Sequence, residues 1–161
     1  MFISYQRLDK DAAKKIADYL LGIGVDVYFD EYDSKLKFQN QQISPKEVTN
    51  AICDGINNSS HMLVLVSPTT LDSNWVPFEI GFGYDKTDLK VLCLRGIAKG
   101  SLPEYIRSVP VIRDIDDLNN VVAYLSGRTK EMLLEKRIML SHNDMSNPLS
   151  AVMDTMIDDP Y

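Results

Sequence analysis

Runs of consecutive apolar residues alternate along the chain with stretches in which apolar residues recur every three or four positions. The first kind marks strands covered on both faces, and the second marks helices with one buried stripe. Five runs read as strands: Phe2 to Tyr5, Val25 to Asp30, His61 to Ser67, Lys90 to Arg95 and Val109 to Arg113. Between the first two, residues Leu8 to Ile23 place Ala12, Ala13, Ile16, Leu20 and Ile23 on one helical face and Lys10, Lys14 and Asp18 elsewhere, with a stop at Gly24.

A second helix is predicted over Pro45 to Asn57, with the proline in its first turn, and another starts at Ser73 and Asn74 and carries Trp75-Val76-Pro77-Phe78-Glu79. After Asp114 an Asp-Asp start at 116 and 117 leads a helix to about Tyr124. Gly127 breaks it, a further helix runs to about Leu140, and a short one covers Leu149 to Ile157. Residues 31 to 45 form a long connection without glycine, a length that points to a functional loop.

Strand and helix alternating in this way predict an α/β fold. The expected form is a flavodoxin-like, doubly wound, five-stranded parallel sheet in the order 2-1-3-4-5, with helices on both faces. Ligands in such sheets bind beyond the carboxyl ends of the strands, here at the first and third. With 161 residues, 45% hydrophobic and 25% charged, one domain is expected.

A net charge of −6 argues against nonspecific binding to nucleic acid or to an anionic membrane. No apolar run approaches the roughly 20 residues of a membrane span, no signal segment precedes Phe2, and both cysteines, Cys53 and Cys93, lie in apolar stretches. A cytoplasmic protein is expected.

Candidate chemistry gathers at the predicted helix after the third strand. From Trp75 to Tyr84 the only charged residue is Glu79, with no lysine or arginine three or four positions away. Trp75, four residues earlier, falls on the same helical face, and Tyr5, Arg7 and Asp30 are expected at the same sheet edge. Gly81 and Gly83 each cost about 1 kcal/mol in a helix, so the sheet or a ligand should approach the backbone there. Cleavage of a nicotinamide riboside bond suits such a site: the pyridinium leaves as a neutral molecule, so one carboxylate that steadies the oxocarbenium-like charge is enough.

Phe-Ile-Ser-Tyr at 2–5, Val-Tyr-Phe-Asp-Glu at 27–31, Leu-Val-Leu-Val-Ser-Pro at 63–68 and Asn-Trp-Val-Pro-Phe-Glu at 74–79 together resemble the TIR domains, in the order and spacing of the bacterial type. The resemblance covers residues 2 to about 115. It divides the chain into a TIR domain, 1–127, and a C-terminal helical extension, 128–161, packed on the same domain. It implies a NAD+ nucleosidase or cyclase that makes ADP-ribose or a cyclic or modified ADP-ribose signal in antiphage defence. Glu79 matches the family's catalytic glutamate, and Tyr5, Arg7, Asp30, Asp33, Ser67 and Trp75 are substrate-binding candidates. NAD+ is then the substrate, no further cofactor or metal is needed, and self-association and a downstream effector sensing the product are the implied partners. The departure from the family is the loop 34–44, which lacks the usual glycine and is longer.

Other readings stay open at this stage. TIR domains in many receptors are non-enzymatic interaction modules. Trp75 suits a core or rim position as well as a cleft, Arg7 suits a surface ion pair as well as a pyrophosphate, and Asp30, Glu31 and Asp33 read as solvated turn residues before they read as a cation site. His61 and His142 lie away from the proposed cleft. Met132, Met139, Met145, Met153 and Met156 suit either a docking surface or a cover for the sheet. A nucleoside deoxyribosyltransferase ranks lower because of the Phe-Ile-Ser-Tyr start. A phosphoacceptor domain would need an aspartate where Ser67 stands, and a flavodoxin would need a phosphate loop after the first strand.

Overall fold

The computed structural model describes residues 1–29, 44–97, 100–135, 139–141, 143–144 and 146–154. Four strands, β1 (Phe2–Ser4), β2 (His61–Val66), β3 (Asp88–Cys93) and β4 (Val111–Ile112), form one sheet in the order β1-β2-β3-β4. Every pairing is parallel, with Ser4 opposite Val64, Val66 opposite Cys93 and Leu92 opposite Ile112.

The expected fifth strand, Val25 to Asp30, shrinks to a single parallel bridge between Tyr28 and Phe2. Tyr28 N donates to Met1 O at 2.7 Å and Ile3 N donates to Tyr28 O at 3.2 Å, so the segment does lie beside β1 at the sheet edge, where the order 2-1-3-4-5 puts it. Its ladder is short because β1 itself has three residues and Val25 is turned toward α1, donating to Leu20 O at 3.0 Å. Asp30 lies outside the described residues.

The helices are α1 (Lys10–Gly22), α2 (Pro45–Asn57), α3 (Trp75–Gly83), α4 (Glu104–Arg107), α5 (Ile115–Ser126) and α6 (Lys130–Glu135). A 3-10 turn, Arg7–Asp9, precedes α1, another, Thr70–Asp72, precedes α3, and a third, Pro148–Ala151, stands in the tail. Local chemistry fixes several ends. At Ser44 a capping box opens α2, with Glu47 N donating to Ser44 Oγ at 3.3 Å and Ser44 N to Glu47 Oε2 at 2.8 Å. α1 closes on Gly24 at φ +91°, where Gly24 N reaches Leu21 O and Val25 N reaches Leu20 O, the paired bonds of a Schellman end.

Side chains alternate along each strand and split the core in two. Ile3, Leu63, Leu65 and Leu92 pack with α1 and α5, while Phe2, Met62, Val64, Val66 and Val91 pack with Ile56 of α2, Val76 and Ile80 of α3 and Ile106 of α4. The continuous apolar strands were thus covered on both faces, as their composition required.

The tail joins the first of these cores. Leu133, Met139, Leu149 and Met153 are fully buried in it, and the chain returns to the carboxyl edge of the sheet, where Arg95 N donates to Val152 O at 2.9 Å and Ile115 N to Asp154 O at 3.1 Å. Of the expected helix to Leu140, α6 covers Lys130–Glu135, residues 136–138 lie outside the described residues, and Met139 N donates to Leu133 O at 3.3 Å. The expected helix from Leu149 is the 3-10 turn Pro148–Ala151, and residues 155–157 lie outside the described residues.

Candidate active site at the carboxyl edge

α3 begins at the exit of β2, through a turn built by hydroxyls. Ser67 N donates to Thr70 Oγ1 at 2.8 Å and Thr70 N to Ser67 O at 3.1 Å, while Ser73 Oγ accepts from Val76 N at 3.2 Å and from Trp75 N at 3.3 Å. Ser73, not Asn74, therefore caps the helix: the Asn74 side chain makes no capping bond. Pro77 sits within the first turn, where its missing N–H costs nothing.

Val76, Glu79, Ile80 and Gly83 form the buried side of α3, and Glu79 is only 7% exposed. A carboxylate withdrawn from water onto the apolar face of a helix is costly to bury, and such groups concentrate where charge is put to use. On the same side of the sheet β1 contributes Ser4, 1% exposed, since it alternates with Phe2, which packs there. Ser4 Oγ has no hydrogen-bond partner among the described residues. A buried hydroxyl and a buried carboxylate thus share the sheet face next to the switch point between β1 and β2.

Trp75 sits at the other flank of α3. It is 41% exposed and meets Phe78 edge-on, ring centroids 6.0 Å apart, and Phe78 in turn stacks on Phe82 at 6.1 Å. Lys86 Nζ stands 3.5 Å over the Phe82 ring. Four-residue spacing put Trp75 and Glu79 on adjoining sectors of the helix, but the indole leans outward into this aromatic row.

Tyr5 follows β1, packs against the α1 side of the sheet and stacks on Phe29 at 5.2 Å. Arg7 is exposed on the 3-10 turn at the same edge. Ser67, 4% exposed, ends β2, and its hydroxyl donates to Asp9 Oδ2 at 2.6 Å. Asp30 and Asp33, with Glu31 and the loop 31–43, lie outside the described residues. Ser4, Ser67 and Arg7 thus lie at or just past the carboxyl ends of β1 and β2, Glu79 and Trp75 on the helix that leaves β2, and Tyr5 on the α1 side of the sheet.

Two glycines of α3 differ in what surrounds them. A Cβ on Gly83 would stand 2.5 Å from Met62 Sδ, so the sheet accounts for this glycine, whereas Gly81 has no neighbour within 4 Å. At the opposite edge of the sheet, around the amino ends of β2 and β3, lies a shallow apolar depression lined by Leu20, Leu63, Val122 and Leu125. His61 borders it, its Nδ1 2.8 Å from Ser60 Oγ and its Nε2 3.7 Å from Asp88, far from Glu79 along the strands. His142 lies outside the described residues. Cys53 and Cys93 are both free thiols, and burial pushes the Cys93 thiol up.

Comparison with known proteins decides the family. The model of the TIR domain matches residues 1–116. The chain belongs to the TIR family. Among solved structures this TIR domain is similar to that of the Toll-related receptor TRR-2 from Hydra magnipapillata, with a TM-score of 0.57 and 16% identity over 85% of this chain and 95% of the other. It is also similar to a metazoan TIR-STING receptor from C. gigas, with a TM-score of 0.59 and 23% identity, covering 80% of this chain and 40% of that one. At these identities the likeness is one of fold. No curated protein matches the chain. Among the described residues no helix of this TIR domain is long and apolar enough to cross a membrane, and no group of His, Cys, Asp and Glu could hold a metal ion.

Asp9 and Ser4 were not among the candidates read from sequence. An aspartate in the first turn of a helix expected from Leu8 is ordinary there, which hid the contact with Ser67, and a serine in an apolar strand carries no local mark of its burial.

Proposed function

We propose that this TIR domain cleaves the nicotinamide–ribose bond of NAD+, with Glu79 as the catalytic carboxylate. The observation that carries the proposal is the burial of Glu79 on the sheet side of α3, at the carboxyl edge of a doubly wound sheet, in a chain of the TIR family. There the carboxylate would accept hydrogen bonds from the ribose hydroxyls and face the carbon that becomes positive. In a low-dielectric surrounding its charge acts with little screening.

The bond from the anomeric carbon to the pyridinium nitrogen breaks with both electrons passing to nitrogen, so nicotinamide leaves neutral and no general acid is called for. Water then adds to the oxocarbenium carbon and gives up a proton, yielding ADP-ribose. If a nucleophile of the substrate itself reaches that carbon first, the product is a cyclic or modified ADP-ribose. Ser4, buried on the same sheet face, would offer a hydroxyl to the substrate, Arg7 a partner for pyrophosphate, and Trp75 a stacking wall. Asp30 and Asp33 complete the proposed substrate-binding set, whereas Tyr5 lies on the α1 side of the sheet and the Ser67 hydroxyl is given to Asp9. Such a product serves as a signal to a downstream effector, in antiphage defence of the bacterial type, inside the cytoplasm.

The test is chromatography of nicotinamide and nucleotide products after incubation with NAD+ over a wide protein concentration range, with Glu79→Gln alongside. Release that disappears in the variant supports the proposal, and no release at any concentration overturns it.

A second reading, a TIR interaction module, draws on the aromatic row Trp75–Phe78–Phe82, in which Trp75 and Phe78 are exposed and Phe82 is half-buried. Solvent-facing aromatics at helical spacing suit contact with another protein surface or a second TIR domain. Light scattering beside the product assay separates the two.

A further inference from the structure

Asp9 occupies the N-cap position of α1 yet makes no capping bond. Its carboxylate turns across the top of the sheet instead. Oδ2 accepts from Ser67 Oγ at 2.6 Å and from Thr69 Oγ1 at 3.3 Å, and those two hydroxyls also lie 2.8 Å from each other. A side chain that forgoes the bond its position favours, in order to serve two donors some sixty residues away, is committed to holding two loops together.

The two loops are the ones that flank the switch point. On one side Asp9 is tied to its own turn by Asp9 N donating to Gln6 O at 2.7 Å, and that turn carries Arg7. On the other side the bonds run without interruption into α3. Thr69 N donates to Ser67 Oγ at 3.1 Å, Ser67 N to Thr70 Oγ1 at 2.8 Å, Ser73 N to Thr70 O at 3.0 Å, and Ser73 Oγ caps Val76 N at 3.2 Å. Glu79 stands one turn further along that helix.

We propose that Asp9 is a positioning residue: through Ser67 and Thr69 its carboxylate fixes the start of α3, and with it Glu79, relative to the turn that bears Arg7. Ser67 is then a part of this tie, its hydroxyl engaged inside the protein. The inference rests on the reading of Glu79 as the catalytic carboxylate. It predicts a particular division of effects. Loosening the tie displaces the reacting carboxylate while leaving the binding surface of each loop intact, so turnover falls more than affinity.

The experiment compares Asp9→Ala, Asp9→Asn and Ser67→Ala with the unaltered chain, by amide hydrogen exchange and by nicotinamide release from NAD+. In Asp9→Ala the Trp75 and Val76 amides are expected to exchange about tenfold faster while the amides of α2 stay within about twofold. kcat is expected to fall about tenfold with KM within about threefold. Asp9→Asn, whose amide oxygen still accepts from Ser67, restores both. Ser67→Ala reproduces Asp9→Ala and does not add to it in the double variant. If Asp9→Ala does not fold, Ser67→Ala reads the same tie by removing one hydroxyl. Unchanged exchange at Trp75 and Val76 in both Asp9→Ala and Ser67→Ala overturns the proposal, as does a fall in kcat that Asp9→Asn fails to restore. If the unaltered chain releases no nicotinamide, the enzymatic reading fails by itself, and the exchange arm still decides whether Asp9 holds α3.

Discussion

Tyr19 Oη donates a 2.7 Å hydrogen bond to Asn119 Oδ1, joining α1 to α5 inside the core formed with the tail. Asn119 is fully buried and its amide nitrogen donates onward to Leu140 O at 3.2 Å, so one polar chain links both helices to the extension. Such an internal network stabilises only while every member is satisfied.

Burial pushes the Tyr19 hydroxyl up from 10.0 to about 12, against the opposing effect of a backbone hydrogen bond from Leu140. A pKa raised in the folded state means the folded protein holds its proton longer than the unfolded chain does. The stability due to this group is therefore complete below pH 10, and it is lost as pH rises from 10 through 12. Tyr19→Phe should flatten that decline. At pH 7 it should cost about 1–3 kcal/mol, because Asn119 Oδ1 loses its donor. Urea unfolding at pH 7 and across the alkaline range measures both effects, and a decline of equal steepness in the two proteins would refute the assignment.

The glycines of α3 should respond in opposite directions. Gly81 has open space where a Cβ would go, so Gly81→Ala gains helix propensity and should raise stability by about 0.5–1 kcal/mol. At Gly83 the new methyl would meet Met62 Sδ at 2.5 Å, with Ile56 and Thr87 at 3.6 Å behind it, so Gly83→Ala should destabilise by about 1–3 kcal/mol. Denaturant midpoints of the two variants, at equal slopes, check the pair.

The tail after residue 116 lies beyond the family match but not beyond the core. Met153 is 0% exposed, whereas Met132 is 46% exposed. Met153→Ala should cost about 2–5 kcal/mol through the cavity it leaves, and Met132→Ala less than about 0.5 kcal/mol. Thermal melts of both variants test whether residues 148–154 contribute to stability as a core segment does.

What could be read from the sequence was whatever is local. The helix near Pro45 to Asn57 was legible from a proline suited to a first turn, and the Ser44–Glu47 capping box fixes that start. The parallel sheet followed from the unbroken apolar runs of β2 and β3, and Glu79 stood out as a lone charge in an apolar helix. Strand length at the edge was not local: Val25 to Asp30 has strand composition, yet its partner β1 offers three residues. The short helix α4 was not foreseen either. The contact of Asp9 with Ser67 spans 58 residues, and no periodicity reports it. Trp75 was placed by helical spacing alone, which fixes a sector of the helix but not the lean of an indole toward Phe78.

That lean separates two surfaces of one helix, and they can be tested apart. Glu79 faces the sheet, while Phe78, 38% exposed, faces solvent between Trp75 and Phe82. Phe78→Ser removes the centre of the aromatic row and its ring contacts with Trp75 and Phe82, so stability should fall by about 1–2 kcal/mol with the fold retained. If the row mediates self-association, light scattering at high concentration should show Phe78→Ser remaining monomeric where the unaltered chain assembles. Glu79→Gln should assemble like the unaltered chain and lose nicotinamide release by about a hundredfold or more. Release that falls with Phe78→Ser in step with assembly would mean that the cleft is completed by association. Release that persists in a monomeric Phe78→Ser would make the single domain sufficient. Assembly undisturbed by Phe78→Ser would remove the aromatic row from the interface.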